Sequence, residues 1–351
     1  MPRRPPPRTL TQNAMRQNNF DIVRLLLAAI VVLVHSANLS QSPALALIPR
    51  LLSQHVAVEG FFAISGFLIF ASYERCKTLA EYARNRAIRI LPGYWLSTLL
   101  CLGIAAAYGS FHVGKFLLAN LLFSSFLQPD IQGVFPNNPE NHALNGALWT
   151  LKIEVMFYIA VPIIVFLCRT LRRDAVLWAL FIASVLFHIA LAEHKSLVVQ
   201  LPGQLCFFLV GTLIHYHLPL FRKHGKWLML GALAAHALHL YTGWFFLRPL
   251  SVASLTLGAC LLLPHIQGPT RWGDFSYGTY ILHYPIVQCI IAAGLFTIHP
   301  WIALGLTILI VACAAQFSWF LVEKPALTVA KSRQLRRAAI GATPNFPPAV
   351  P

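Results

Sequence analysis

The chain has 351 residues, 57% of them hydrophobic and only 11% charged, with a mean hydropathy of +0.65. That balance excludes an ordinary soluble globular protein and points to a polytopic membrane protein. The formal net charge of +16 would suit nucleic acid, but Lys and Arg gather in alternate connections between apolar runs, so the basic excess is a topology signal and no nucleic-acid partner is expected.

The first 19 residues, rich in Pro and Arg, have neither the apolar core nor the cleavage pattern of a signal peptide and read as a disordered basic cytoplasmic tail. Ten apolar runs follow, at about 21–38, 57–73, 91–108, 147–168, 175–191, 197–216, 227–241, 249–265, 275–297 and 301–322. Runs of this length cross a bilayer as helices, so an all-α polytopic membrane helix bundle of about ten transmembrane helices is predicted over 20–325. Residues 326–351 form a second cytoplasmic tail. An eleventh run at 115–127 is short and suits a re-entrant or interfacial helix.

One set of connections carries Arg3, Arg4, Arg8 and Arg16, then Arg75, Lys77, Arg84, Arg86 and Arg89, then Arg169, Arg172 and Arg173, then Arg222, Lys223 and Lys226, then Arg271 and the Lys324 region. The other set has only Arg50, Lys115, Lys195 and Arg248. By the positive-inside rule both termini are cytoplasmic.

The first run, "FDIVRLLLAAIVVLVHS", opens with Asp21 and holds Arg24 and His35. Eleven residues of helix bring these two within about 20° of one face, some 16 Å apart. Arg24 alone would read as a snorkelling residue and His35 as a packing residue, yet ionisable groups inside a span tend to face the bundle interior. The second run, "FFAISGFLIF", contains Ser65 and Gly66, small residues that let helices approach closely. "RNRAIRILPGYW" places Arg84, Arg86 and Arg89 before the third run, where their spacing can gather guanidiniums on one side for phosphate. A positive-inside anchor is the alternative.

The long polar connection 128–146 reads either as a lid or acceptor-recognition loop or as a plain tether. The fourth run opens "ALWTLKIEVMFYI" with Trp149, Lys152 and Glu154; the carboxylate, about two turns in, is expected at the depth of His35 and able to orient it. His283 in "YGTYILHYPIV" and Glu323 in "VEKPA" read as structural hydrogen-bonding or helix-end residues. Seven cysteines sit singly, without metal-ligand spacing, so neither a disulfide framework nor a metal site is expected.

Taken in order, "FDIVRLLLAAIVVLVH", "FFAISGFLI", "RNRAIRILPGYW", "LWTLKIEVMFY", "YGTYILHYPI" and "VEKPA" resemble the signature blocks of the acyltransferase-3 family of bacterial membrane O-acyltransferases. The resemblance implies an inner-membrane enzyme moving an acyl group, with acetyl the expected one, from cytoplasmic acyl-CoA to a hydroxyl of an exported carbohydrate or lipid-linked glycan. It implies His35 as the catalytic residue and Arg24, Arg86 and Arg89 as donor-binding residues, with Arg84 beside them. Acyl-CoA is the co-substrate, membrane lipid surrounds the chain, and no metal or prosthetic group is implied. Ile22 replaces a common Gly of the family, and "WTL" a common Trp-Ser-Leu. From the residues alone, a proton-coupled transporter or glycan flippase is the alternative, since carriers also hold intramembrane Arg, His and Glu.

Overall fold

The computed structural model of the protein describes residues 18–110, 112–139, 143–266, 268, 273–330 and 332. No strand forms among these residues, and the chain is an all-α bundle. Its long helices are α1 (Phe20–Ser40), α2 (Gln54–Arg75), α3 (Leu79–Ala107), α4 (Trp149–Thr170), α5 (Arg173–Ala190), α6 (Leu201–Tyr216), α7 (Gly225–Thr242), α8 (Leu247–Leu261), α9 (Ser276–Ala292) and α10 (Pro300–Ser318). Each corresponds to one of the predicted runs. The short run becomes the helix Gly114–Leu121 followed by a single 3-10 turn, too short to span. The predicted amino-terminal tail through residue 17, Arg271, and nearly all of the carboxy-terminal tail beyond 330 lie outside the described residues.

Seven helical segments among the described residues are long and apolar enough to cross a membrane; they contain α1 to α6 and α10. Helices α7, α8 and α9 fall short in length or hydropathy yet pack into the same bundle. For α9 the reason is its position: residues 278–288 are all buried, so this helix meets protein on its faces and carries polar groups that find partners there.

Small residues set the tightest crossing, between α2 and α6. A Cβ at Gly66 would lie 1.9 Å from the carbonyl oxygen of Phe208, and one at Gly211 would lie 2.0 Å from that of Ala63. Both helices need glycine there for their backbones to touch. Thr212 stitches the contact, donating to the carbonyls of Phe208 at 3.1 Å and Gly66 at 3.3 Å.

Interior prolines contribute in a different way. Pro162 and Pro285 lack the N–H that would bond to the carbonyl four residues back, so the Tyr158 and Ile281 carbonyls are released inside the bundle. In lipid each such oxygen needs a partner. The Tyr82 hydroxyl donates to Tyr158 at 3.2 Å; Ser97 and Asn145 donate to Ile281 at 3.0 and 2.7 Å. These bonds fix α4 to α3 and α9 to α3 beside the residues that matter below.

Connection 128–146 is more than a tether. Ile131, Val134, Phe135 and Leu144 form a separate small core with Cys101, Ala105 and Phe116. Asn138 donates to the Gln288 carbonyl at 3.1 Å, and Gln288 donates to Ala143 at 3.0 Å, fastening the connection to α9. At the other end of the bundle, the Asn19 side chain donates to Pro264 and accepts from the Ile266 N–H, both at 2.9 Å, tying the start of α1 to the end of α8. A half-buried ion pair, Arg248 to Glu59 at 2.8 Å, joins α8 to α2. Beyond α10 a π-helical turn, Trp319–Glu323, leads into helix that continues to residue 330.

Candidate active site

Helices α1 and α9 run in the same direction and meet at two polar contacts. Near the start of both, Arg24 Nη2 lies 3.1 Å from Asp274 Oδ2, and eleven residues further along α1, His35 Nδ1 lies 2.7 Å from His283 Nε2. The predicted stripe on α1 therefore faces α9 at both ends.

The histidine contact has a definite chemical direction. His283 is completely buried, and its Nδ1 is 2.6 Å from the Tyr280 carbonyl oxygen. A carbonyl can only accept, so with both rings neutral the proton of His283 sits on Nδ1 and its Nε2 is an acceptor. His35 must then donate from Nδ1, which leaves the lone pair of His35 Nε2 unspent. The two rings are nearly coplanar, 9° apart with centres 5.0 Å from each other, as an in-line N–H···N bond requires, and Tyr284 meets His35 edge-on at 5.4 Å. Tyr284 is itself held where Gly146 leaves room, since a Cβ there would lie 2.7 Å from the phenol ring. The 128–146 connection thus ends against the histidine site.

Beneath the histidines lies a partly open cavity of about 120 Å³, lined by Arg24, Phe61, Ser65, Arg89, Glu154, Tyr158, Tyr277 and Tyr280 among others. That is room for several ordered waters. His35 and His283 are not in its lining; Tyr280, one turn before His283, is, and its hydroxyl lies 2.8 Å from Thr150 Oγ1. Along α9 the step from cavity to histidine is about 4.5 Å, three residues at about 1.5 Å each.

Glu154 does not meet His35. Its carboxylate accepts from the Ser65 hydroxyl at 3.0 and 3.2 Å and from the Tyr158 hydroxyl at 2.9 Å, on the cavity wall. The expectation of a shared depth overlooked that the α4 face carrying Glu154 is turned to the middle of α2. Ser65 and Gly66, adjacent in sequence, consequently do different things: one holds a carboxylate, the other packs on α6. Trp149 opens α4 and packs partly buried against the core.

The arginines divide. Arg89 pairs with Asp274, as Arg24 does, and both line the cavity. Arg86 donates to Ser72 Oγ at 3.0 Å and lies over the Tyr158 ring, 5.6 Å from its centre. Arg84 turns away and lines a separate groove with Leu91, Pro92, Pro325 and Val329. Five residues of helix, about 500° of rotation, separate Arg84 from Arg89, so the predicted common side holds for Arg86 and Arg89 alone. Asp21 pairs with Arg24 one turn away. Glu323 is buried and accepts from Ser318 at 2.7 Å, within the π-helical turn.

Asp274 was not singled out from the sequence. Burial alone would raise its carboxyl, but Arg89 and Arg24 outweigh that cost and, with a hydrogen bond from Ser276, hold it well below the usual carboxylate range. The available signal was its place, an acidic residue in a connection otherwise marked as basic. Among the described residues no His, Cys, Asp and Glu side chains cluster as a metal site.

An acyltransferase domain family matches residues 17–321, nearly the whole described bundle. The chain belongs to this family. It is an O-acyltransferase by that membership and by its relatives. The O-acetyl transferase of Shigella phage Sf6 is 26% identical over 332 residues, covering 89% of this chain and 97% of the phage protein. Nodulation protein 10 of Rhizobium leguminosarum bv. viciae is 26% identical over 363 residues, covering 92% and 97%. The exopolysaccharide production protein ExoZ of Rhizobium meliloti (strain 1021) is 27% identical over 308 residues, covering 81% and 93%. No solved structure matches the chain.

Proposed function

We propose that this acyltransferase takes an acyl group, most simply acetyl, from acyl-CoA on the cytoplasmic side of a bacterial inner membrane and transfers it to a hydroxyl of an exported carbohydrate. The observation that carries the chemistry is the chain from the Tyr280 carbonyl through His283 to His35, which leaves His35 Nε2 as a free base inside the bundle. His35 Nε2 takes the acceptor hydroxyl proton as the oxygen attacks the thioester carbonyl. The new C–O bond forms, the C–S bond breaks, and the imidazolium returns the proton to the leaving thiolate.

The donor enters at the end of the bundle where α1 begins. Arg24 and Arg89 line the cavity there, and Arg86 stands beside it against Tyr158. Guanidiniums are matched to the phosphates of coenzyme A. Buried Nε groups of Arg24 and Arg86 have no hydrogen-bond partner, which leaves donors for a ligand. The same end carries Arg75, Arg172 and Arg222, so the positive-inside rule makes it cytoplasmic, where acyl-CoA is found. Support for acetyl and for a carbohydrate comes from two relatives, named as an O-acetyl transferase and an exopolysaccharide production protein. Glu154 serves the cavity wall and has no part in orienting His35.

The test compares surface polysaccharide from cells expressing the wild type or His35→Ala, with O-acyl groups read by NMR. Loss of O-acylation at normal protein levels is expected. An unchanged O-acyl pattern removes His35 from the mechanism.

A further inference from the structure

We propose that Asp274 is the positioning residue that makes Arg24 and Arg89 into one receptor for the anionic end of the donor. The inference rests on the acyl-CoA reading above and adds a residue to it.

Helices α1 and α3 each pack on α9 and have no substantial packing on each other. Two guanidiniums presented from such separate helices to one cavity would repel and splay. Asp274 prevents this: a single oxygen, Oδ2, accepts a hydrogen bond from Arg89 Nη2 and lies 3.1 Å from Arg24 Nη2 as an ion pair, while Oδ1 accepts from the Ser276 hydroxyl at 2.6 Å. The carboxylate itself is only 11% exposed, so the contact is made largely out of water, where a charge-assisted bond is most directional. Each arginine is bound through one terminal nitrogen, leaving its other N–H groups uncommitted while the side chain lines the cavity.

Charge still favours an anion. Arg24, Arg89 and Asp274 together carry one net positive charge. Asp21, which accepts the hydrogen bond of Arg24, is 51% exposed and therefore screened. Arg86, which has no carboxylate in contact with it among the described residues, offsets Glu154 on the same cavity wall, so the one net positive charge remains. The carboxylate thus sets the spacing and aim of the guanidiniums without cancelling the site.

The experiment uses full-length protein in nanodiscs, with acetyl-CoA as donor and an isolated carbohydrate acceptor that the wild type acylates. Asp274→Asn is expected to raise the KM for acetyl-CoA about tenfold or more, with kcat within about threefold and the acceptor KM unchanged. Asp274→Glu is expected to recover most of the loss, and Asp274→Asn is expected to add little to an Arg89→Ala background. Where Asp274→Asn does not accumulate as folded protein, Ser276→Ala is read the same way, with about a threefold rise expected. An unchanged donor KM in a folded variant overturns the proposal, and a lowered one overturns it too by making Asp274 a competitor of the donor. A wild type that does not use acetyl-CoA at all fails the acyl-CoA reading instead, so the two failures are distinct.

Discussion

His35 has a reactive nitrogen because of a backbone carbonyl two bonds away. The Tyr280 oxygen fixes the His283 tautomer, and that tautomer fixes His35. His283→Ala is accordingly expected to lower kcat on the order of 10²-fold, with little change in the KM for the donor, because the imidazole loses its tautomer and aim rather than its presence. Steady-state kinetics on purified protein would decide it, and an unaltered kcat would mean that the hydrogen-bonded pair is only packing. The spacing of Arg24 and His35 was readable in advance, since helix periodicity alone puts them on one face. Their partners were not. Asp274 and His283 come from an element about 250 residues later, and nothing local in either sequence names the other. Glu154 was read as a carboxylate within a span and placed at the depth of His35; its hydrogen-bonding partners Ser65 and Tyr158 were assigned only by the tilt and rotation of α4.

At the scale of elements, close approach is decided by single atoms. Gly66→Ala would drive a methyl group into the Phe208 carbonyl, a backbone oxygen that cannot swing aside. A loss of about 1–3 kcal/mol is expected, seen as a lowered thermal midpoint in detergent. Gly103→Ala is the matched comparison, because a Cβ there meets nothing within 4 Å. It should be neutral or stabilising by up to about 1 kcal/mol from helix propensity. Equal midpoints for the two variants would contradict the account of the α2 to α6 crossing. Helix existence was legible from apolar runs, whereas the proline-released carbonyls at Tyr158 and Ile281 were not used as signals. They could have been: an interior proline in a span announces a carbonyl that some other helix must satisfy.

For the whole molecule, basic residues collect at the end where α1 begins, and the histidine pair lies further towards the opposite end. The donor-side and acceptor-side assignments depend on that polarity. Single cysteines at Arg50 and Arg172, both exposed, would report it in a background lacking accessible native thiols. A membrane-impermeant maleimide applied to intact spheroplasts is expected to label Arg50→Cys and spare Arg172→Cys. The reverse pattern would invert the topology and put the arginine site on the wrong face for acyl-CoA.

Hydropathy was sufficient for the membrane and the ten helices, because a bilayer constrains each segment independently of the others. Helix period was sufficient for the Arg24 and His35 stripe. The tertiary structure alone decided that Arg84 leaves the arginine group, that Glu154 serves the cavity wall, and that Asp274 and His283 complete the two ends of the stripe. Those outcomes depend on the rotation of one buried helix against another, which is set by steric contacts such as Gly66 on Phe208 and by long-range hydrogen bonds. A glycine or an interior proline marks one side of such a contact, but nothing within the segment names the partner.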